Sequence, residues 1–341
     1  MKTLYFDEPE KIRTTQTDEP ADPKPGEVQV KTHRVGVCGT DLGGYVGKFP
    51  FFRYPRIPGH ELGVEVVAVG DGVSHLKIGD KCSIEPYMNC RDCFACNNGS
   101  PNCCVNLEVI GVMCDGGLRE RFNIRADKVH PGNALRYEQL ALVETLAIGC
   151  HAIDRGGVQA GEDVLIIGAG PIGLSALEFA KVNGGRIAVI DLSQDRLDFC
   201  KHTYGIECGI IPQQDGSEMK QVEDFTNGNG FSVVVDATGH QGSMSTAMKY
   251  NAPTGRLVYV GITNQDLVFP HVAIHKPEVT ILPSRNALPK DFPYIIDLIE
   301  KGAINTDPWI TRRMAFDDVP GEFPELITPA PGTIKTVIEM D

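Results

Sequence analysis

Val164-Leu165-Ile166-Ile167-Gly168-Ala169-Gly170-Pro171-Ile172-Gly173 carries the strongest architectural signal in the chain. Four apolar residues in a row, bounded by turn signals, read as a strand buried on both faces. The glycines that follow form a G-x-G-x-x-G pattern, and Ile172–Val182 then reads as a helix. Such a pattern is weak in isolation. Between a strand and a helix it has the context that a dinucleotide site requires. Gly168 permits the tight turn, Gly170 lets a pyrophosphate approach the backbone, and Gly173 lets the helix pack on the strand. Pro171 and Ile172 open the helix, whose first N–H groups are offered to phosphate.

Downstream, the apolar run Ile187–Ile190 ends in Asp191, 18 residues beyond Gly173. A carboxylate there accepts hydrogen bonds from an adenosine ribose diol and repels a 2′-phosphate, so NAD is expected rather than NADP. Arg196, in the predicted helix Gln194–Tyr204, pulls partly the other way; it can swing toward a phosphate, flank the adenine or simply face solvent. Further apolar runs occur at Phe231–Val235, Leu257–Val260 and Val279–Leu282. Apolar strands alternating with helices predict an α/β, doubly wound, Rossmann-type parallel sheet.

The 341 residues are enough for two domains with separate cores. Before about residue 145 the chain reads as strands and turns, with strands expected at Glu27–Val37, Gly63–Val69 and Lys81–Ile84. After Ser284 a helix is expected at Phe292–Lys301, and the last forty residues or so return to short strands. The predicted boundaries are therefore 1–146 for a β-rich domain, 147–284 for the parallel-sheet domain, and 285–341 for a return to the first. The net charge of −13 argues against nucleic acid, whose phosphates need a basic face. No window approaches the ~20 apolar residues of a membrane span. Met1–Arg13 lacks the apolar core of a signal peptide, so a soluble cytoplasmic protein is expected.

Cys90, Cys93, Cys96 and Cys104 form C-x2-C-x2-C-x7-C within the lobe 86–104. Four thiolates so close in sequence can close a tetrahedral zinc site, and the odd total of 11 cysteines argues against a disulfide framework. Cys103 is the weaker ligand candidate beside Cys104. Two further short motifs are Cys38-Gly39-Thr40-Asp41 after a strand and Gly59-His60-Glu61 after Pro58.

Together these motifs resemble the zinc-dependent medium-chain dehydrogenase/reductase family over essentially the full length. The resemblance implies a GroES-like catalytic domain and two zinc ions per chain, the four-cysteine one structural and a catalytic one held by Cys38 and His60. It places Glu144 at the third ligand position, where alcohol dehydrogenases of the family have cysteine; Glu61 is then at or near the metal. Glutamate there is similar to the sorbitol and sugar-acid dehydrogenases. Cys150 is read as a packing residue. Asp41 is expected to accept from the ring of His60, to cap a turn, or both. Thr40 matches the hydroxyl that takes the alcohol proton, whereas Gly43 stands where many relatives continue the relay with histidine. Zinc acts in such sites as a Lewis acid that eases hydride loss from the substrate carbon.

The resemblance also points to substrate. Arg285, in Ser284-Arg285-Asn286, matches an arginine that contacts substrate hydroxyls, although a bridge between the domains is an equal reading. Arg53 and Arg56 lie before the G-H-E, where a guanidinium would suit a carboxylate. The Y-P-R, D-G-G and P-S-R-N stretches look most like hexonate dehydrogenases for galactonate or gulonate. Polyols and L-threonine remain open, as does a non-catalytic NAD and zinc sensor. An active site between the domains, a polyhydroxylated small-molecule substrate, and a homodimer or homotetramer complete the expectation.

Overall fold

The computed structural model describes residues 1–213 and 215–340. The chain separates into two compact units, residues 145–287 and residues 1–144 with 288–341.

The inner unit is built on β1 (Asp163–Ile167), β2 (Arg186–Ile190), β3 (Cys208–Ile210), β4 (Phe231–Asp236), β5 (Asn251–Tyr259) and β6 (Thr280–Pro283). Their order is β3-β2-β1-β4-β5-β6 with every pairing parallel, the doubly wound arrangement expected. The strand order reverses beside β1, which is where the Gly-rich turn leaves the sheet. Val164, Leu165 and Ile166 are fully buried, as a strand covered on both faces requires. Helix α1 (Pro171–Val182) follows β1, and α2 (Gln194–Tyr204) follows β2. The α2 helix has Ser193 as its N-cap and ends on Gly205 at φ +68°, so both ends carry the residue types their geometry favours. β5 begins at Asn251, well before the apolar run Leu257–Val260. Pro253 and Gly255 read as turn residues, but a register shift between Phe231 and Val233 lets them pass along the sheet.

The outer unit carries a seven-stranded sheet. Along its path run Ile310–Ala315, Lys335–Glu339, Glu27–Gly36, Glu61–Val69, Lys81–Ile84 and Val129–Pro131, with Arg121–Arg125 also pairing with Glu27–Gly36. The two C-terminal strands are parallel to each other, and Lys335–Glu339 is antiparallel to Glu27–Gly36. Leu4, Val30, Leu62, Val64, Phe323 and Ile338 share one core, so both ends of the chain fill it. The helix after Ser284 is observed at Asp291–Glu300.

One long helix was not expected. Tyr137–Gly156 spans 20 residues and carries Glu144. Leu140, Ala141, Leu142, Val143, Leu146 and Ala147 are all fully buried, so the segment is apolar around its circumference and shows no stripe in sequence.

Glu178, on α1, is buried among apolar neighbours. Burial pushes its carboxyl up to about 7 from an ordinary 4.5, against the opposing pull of Lys181 and Tyr204. The folded state thus holds this proton more tightly than the unfolded chain. Its contribution to stability is complete below about pH 4.5 and is lost as pH rises through about 7. Thermal melting of Glu178→Gln should therefore show a flatter pH dependence than wild type across that window. Parallel curves for the two proteins would remove Glu178 from the pH response.

Candidate active site

Strand register brings three distant segments together at one end of the outer sheet. Gly36 pairs with Val337 on one side and with Glu61 on the other. The Val37 N–H continues the ladder by donating to Thr336 O at 2.9 Å. The chain then turns, and Cys38 becomes the N-cap of the short helix Gly39–Tyr45. Ahead of the adjoining strand, Gly59 at φ +92° turns the backbone so that His60 directly precedes Glu61, where the strand begins. Ligand atoms of Cys38, His60 and Glu61 consequently lie within 4.8 Å of one another. His60 is 4% exposed and Glu61 is 0% exposed.

Asp41 caps the turn as expected, but stops short of a hydrogen bond to the His60 ring. Its Oδ2 accepts the Cys38 N–H at 2.9 Å, which fixes the start of the helix. Its Oδ1 stands 3.6 Å from His60 Nδ1, an electrostatic contact longer than a hydrogen bond, and accepts from Gly59 N at 3.4 Å. Burial opposes a charged His60, but Asp41 and Cys38 outweigh it and raise the imidazole well above its ordinary pKa. Thr40 is half-buried on the first turn of the helix.

Two partners of the acidic residues escaped the sequence reading. Lys335 is 2% exposed and donates to Glu61 Oε1 at 2.6 Å, to Glu61 Oε2 at 2.8 Å and to Val37 O at 3.2 Å. Burial would lower the Lys335 pKa, yet Glu61 and Cys38 raise it overall. Tyr87 is buried and donates its hydroxyl to Glu144 Oε1 at 2.5 Å. Glu144 is not among the three clustered ligands, although His60, Glu61 and Lys335 all act on it electrostatically. Burial raises its pKa against the pull of His60, and Glu61 adds to the rise. One thiol, one imidazole and buried carboxylates form a mixed donor set that fits a divalent metal such as zinc.

The four-cysteine lobe is separate. Sulfur distances are 3.4 Å for Cys90–Cys104, 3.6 Å for Cys93–Cys96 and 4.0 Å for Cys90–Cys96. A tetrahedron with Zn–S arms of about 2.3 Å has edges of about 3.8 Å, so the cluster fits zinc. Backbone N–H groups of Cys96 and Val105 pull the Cys93 thiol down to about 6. Those of Asp92 and Cys93 lower Cys90. Cys103 is exposed and outside the cluster.

In the inner unit, Gly168 has φ +92°, and Gly170 is the N-cap of α1 with Pro171 and Ile172 in its first turn. A Cβ on Gly173 would stand 1.7 Å from Gly168 O, so only glycine lets the helix start this close to the turn. Asp191 is buried and accepts from Ala169 N at 2.7 Å and Ser193 N at 2.8 Å. It therefore braces the Gly-rich turn as well as ending β2. Arg196 lies 3.7 Å from Asp191 and is half-exposed. Arg285 is exposed just beyond β6. Arg56 bonds Asp115 at 2.8 Å, which occupies it structurally, while Arg53 is exposed. Cys150 is buried.

Comparison with known proteins identifies the family. An alcohol dehydrogenase GroES-like domain matches residues 24–134, and a zinc-binding dehydrogenase domain matches residues 171–301. L-galactonate-5-dehydrogenase of Escherichia coli K12 is 35% identical over 93% of this chain and 92% of its own length. Sorbitol dehydrogenase of Bacillus subtilis is 31% identical over 85% of this chain and 84% of its own. The solved structure of the alcohol dehydrogenase rspB from E. coli CFT073, complexed with NADH, has 27% identity and a TM-score of 0.92. It covers 100% of this chain and 99% of the other. No helix among the described residues is long and apolar enough to cross a membrane.

The close approach at Gly173 yields a direct prediction. Gly173→Ala must push α1 away from the turn, at a cost of about 1–3 kcal/mol. A melting temperature several degrees below wild type is expected, and an unchanged one would show that the turn can yield without strain.

Proposed function

Because this chain belongs to the zinc-binding alcohol dehydrogenase family, we propose that it oxidises a secondary alcohol of a hexonate, of the galactonate or gulonate kind, to a ketone. The reaction is reversible and uses NAD. The observation that carries this reading is the cluster of half-buried Cys38 with buried His60 and Glu61, with Glu144 acting on it from the helix Tyr137–Gly156. A donor set with carboxylate in place of a second thiol is harder, which suits an oxygen-rich substrate. The 35% identity to an L-galactonate-5-dehydrogenase supports a sugar acid within that class.

In this reading Cys38 and His60, with the acidic pair Glu61 and Glu144, hold a catalytic zinc, and Cys90, Cys93, Cys96 and Cys104 hold a structural one. A zinc at the first site supplies Lewis-acid polarisation of the alcohol oxygen. Asp41 keeps Cys38 and His60 in place through the helix start and the imidazole contact. Thr40 takes up the alcohol proton. Gly168, Gly170, Gly173 and the first turn of α1 bind the pyrophosphate, and Asp191 accepts from the ribose diol. Its negative charge, flanked but not cancelled by half-exposed Arg196, supports NAD over NADP. Arg285 is assigned to substrate oxygens. We place a second copy on the open edge of β6, giving a dimer or tetramer. The eleven cysteines are all free thiols, which suits a reducing, cytoplasmic setting.

The test is NADH formation from hexonates, hexitols, pentitols and L-threonine, with NAD and NADP run in parallel. Hexonates with NAD should react fastest. Turnover confined to polyols or L-threonine would move the substrate class, and silence from every alcohol in fully zinc-loaded protein would favour a non-catalytic sensor. Glu144→Ala should lower kcat by at least about 100-fold while the protein stays folded. Undiminished turnover would take Glu144 out of the site.

A further inference from the structure

The segment between β5 and β6 holds a pair of histidines that the proposed reaction does not use. Val272–His275 forms a single helical turn with His271 as its N-cap. The His275 N–H donates to His271 O at 3.0 Å, and the Ile274 N–H donates to the same oxygen at 3.1 Å. The two histidines therefore stand four residues apart on a closed turn, the spacing at which helical side chains share one face. Between them, Ala273 and Ile274 pack against the core of the inner unit, as do Leu267 and Phe269 just before. The turn is anchored through these apolar residues, while His271 and His275 are exposed.

The two imidazoles are 5.2 Å apart between ring centroids, with their planes inclined at 44°. Among the described residues neither ring has a hydrogen-bond or ion-pair partner. Coordination geometry accounts for the separation. A zinc ion lies about 2.1 Å from an imidazole nitrogen, hence about 3.2 Å from the ring centroid, and two rings at a tetrahedral angle then have centroids about 5.2 Å apart. A right angle, as in square-planar or octahedral coordination, brings them to about 4.5 Å, a small side-chain adjustment away. Histidines four apart on a helix are also the spacing that metalloproteases use for zinc, with a glutamate directly after the first histidine as general base. Val272 stands in that place here, so the pair offers binding without hydrolysis.

We propose that His271 and His275 chelate a divalent late-transition-metal ion, at a site additional to the two ligand clusters of the outer unit. Imidazole suits zinc, copper and nickel, whereas magnesium and calcium prefer oxygen. Because packing of Ala273 and Ile274 fixes the turn before an ion arrives, the second histidine closes on the metal at little conformational cost. Among the described residues no third protein ligand joins the pair, since the groupings of three or more are the four-cysteine lobe and Cys38 with His60 and Glu61. Water fills the remaining positions, so the ion exchanges with solvent, unlike one enclosed by four thiolates. The histidine pair lies on the inner unit and both clusters on the outer, and the site does not depend on the function proposed above.

Calorimetric titration of the full-length, tag-free, zinc-loaded protein with Ni2+ tests this. Zinc content is measured before and after, so that the two clusters stay out of the count. The wild-type protein should bind one Ni2+ per chain without releasing zinc, and Cu2+ should bind more tightly than Ni2+. His271→Ala and His275→Ala should each weaken Ni2+ binding at least about ten-fold, since either change turns a chelate into a single ligand. The double variant should lose the added equivalent altogether. His202→Ala, which alters an exposed histidine elsewhere on the inner unit, should bind as wild type does. Both histidines of the pair are exposed, so their variants should melt with the wild type before nickel is added. Absence of an added equivalent in the wild type would overturn the proposal. So would wild-type affinity in either single variant, because a chelate needs both rings.

Discussion

The chemistry of the outer unit turns on a position with no side chain. Gly36 lies between two strands whose ends carry opposite charges, and the absence of a Cβ lets a carboxylate and an ammonium meet over the backbone. Everything beyond it depends on that passage. The residue after next is Cys38, which starts a helix through Asp41; Asp41 in turn stands beside His60. A bulkier residue at 36 would displace Glu61, and His60 is its immediate neighbour. The register of three strands therefore sets the positions of a thiol, an imidazole and a carboxylate at once, with no flexible loop between them and the sheet.

The two clusters of metal-type ligands are made differently. In the cysteine lobe, local backbone N–H groups point at sulfur and favour thiolate, so the loop's own turns prepare it. Its sequence spacing and its spatial spacing carry the same information. The site around His60 takes its parts from five separate stretches of chain, and its charges are balanced by side chains rather than by backbone. Such a site has more adjustable parts. A phenol on one carboxylate and an ammonium on the other give the two acids unequal claims on a cation.

Legibility in sequence followed the distance between cooperating residues. The Gly-rich turn and its flanking strand and helix are contiguous, so their pattern predicts the doubly wound parallel sheet that the structure shows, though not the short strand Cys208–Ile210. The cysteine lobe was legible for the same reason. Glu144 could be reached only through family resemblance, because its helix is apolar on every side and has no periodic signature. Tyr87 gave no signal, since a tyrosine two residues before Asn89 in a turn-rich stretch resembles any other. Lys335 was the hardest to see. A lysine opening a strand normally faces water, and its partner is 274 residues away. Asp191 was read for what it could offer a ribose, but its hold on Ala169 N required knowing that β2 ends beside the turn.

That separation of 274 residues between Lys335 and Glu61 bears on how the molecule matures. The entropy of closing so long a loop grows only logarithmically, so the cost at equilibrium is modest. The delay in time is greater, because contacts remote along the chain form late in folding. Until the strand beginning at Lys335 docks, Glu61 faces its neighbours as an uncompensated anion. A nascent or clipped polypeptide lacking that strand would present a different set of donors to any ion it met. The electrostatic balance of the centre thus registers whether the whole chain has been made and folded.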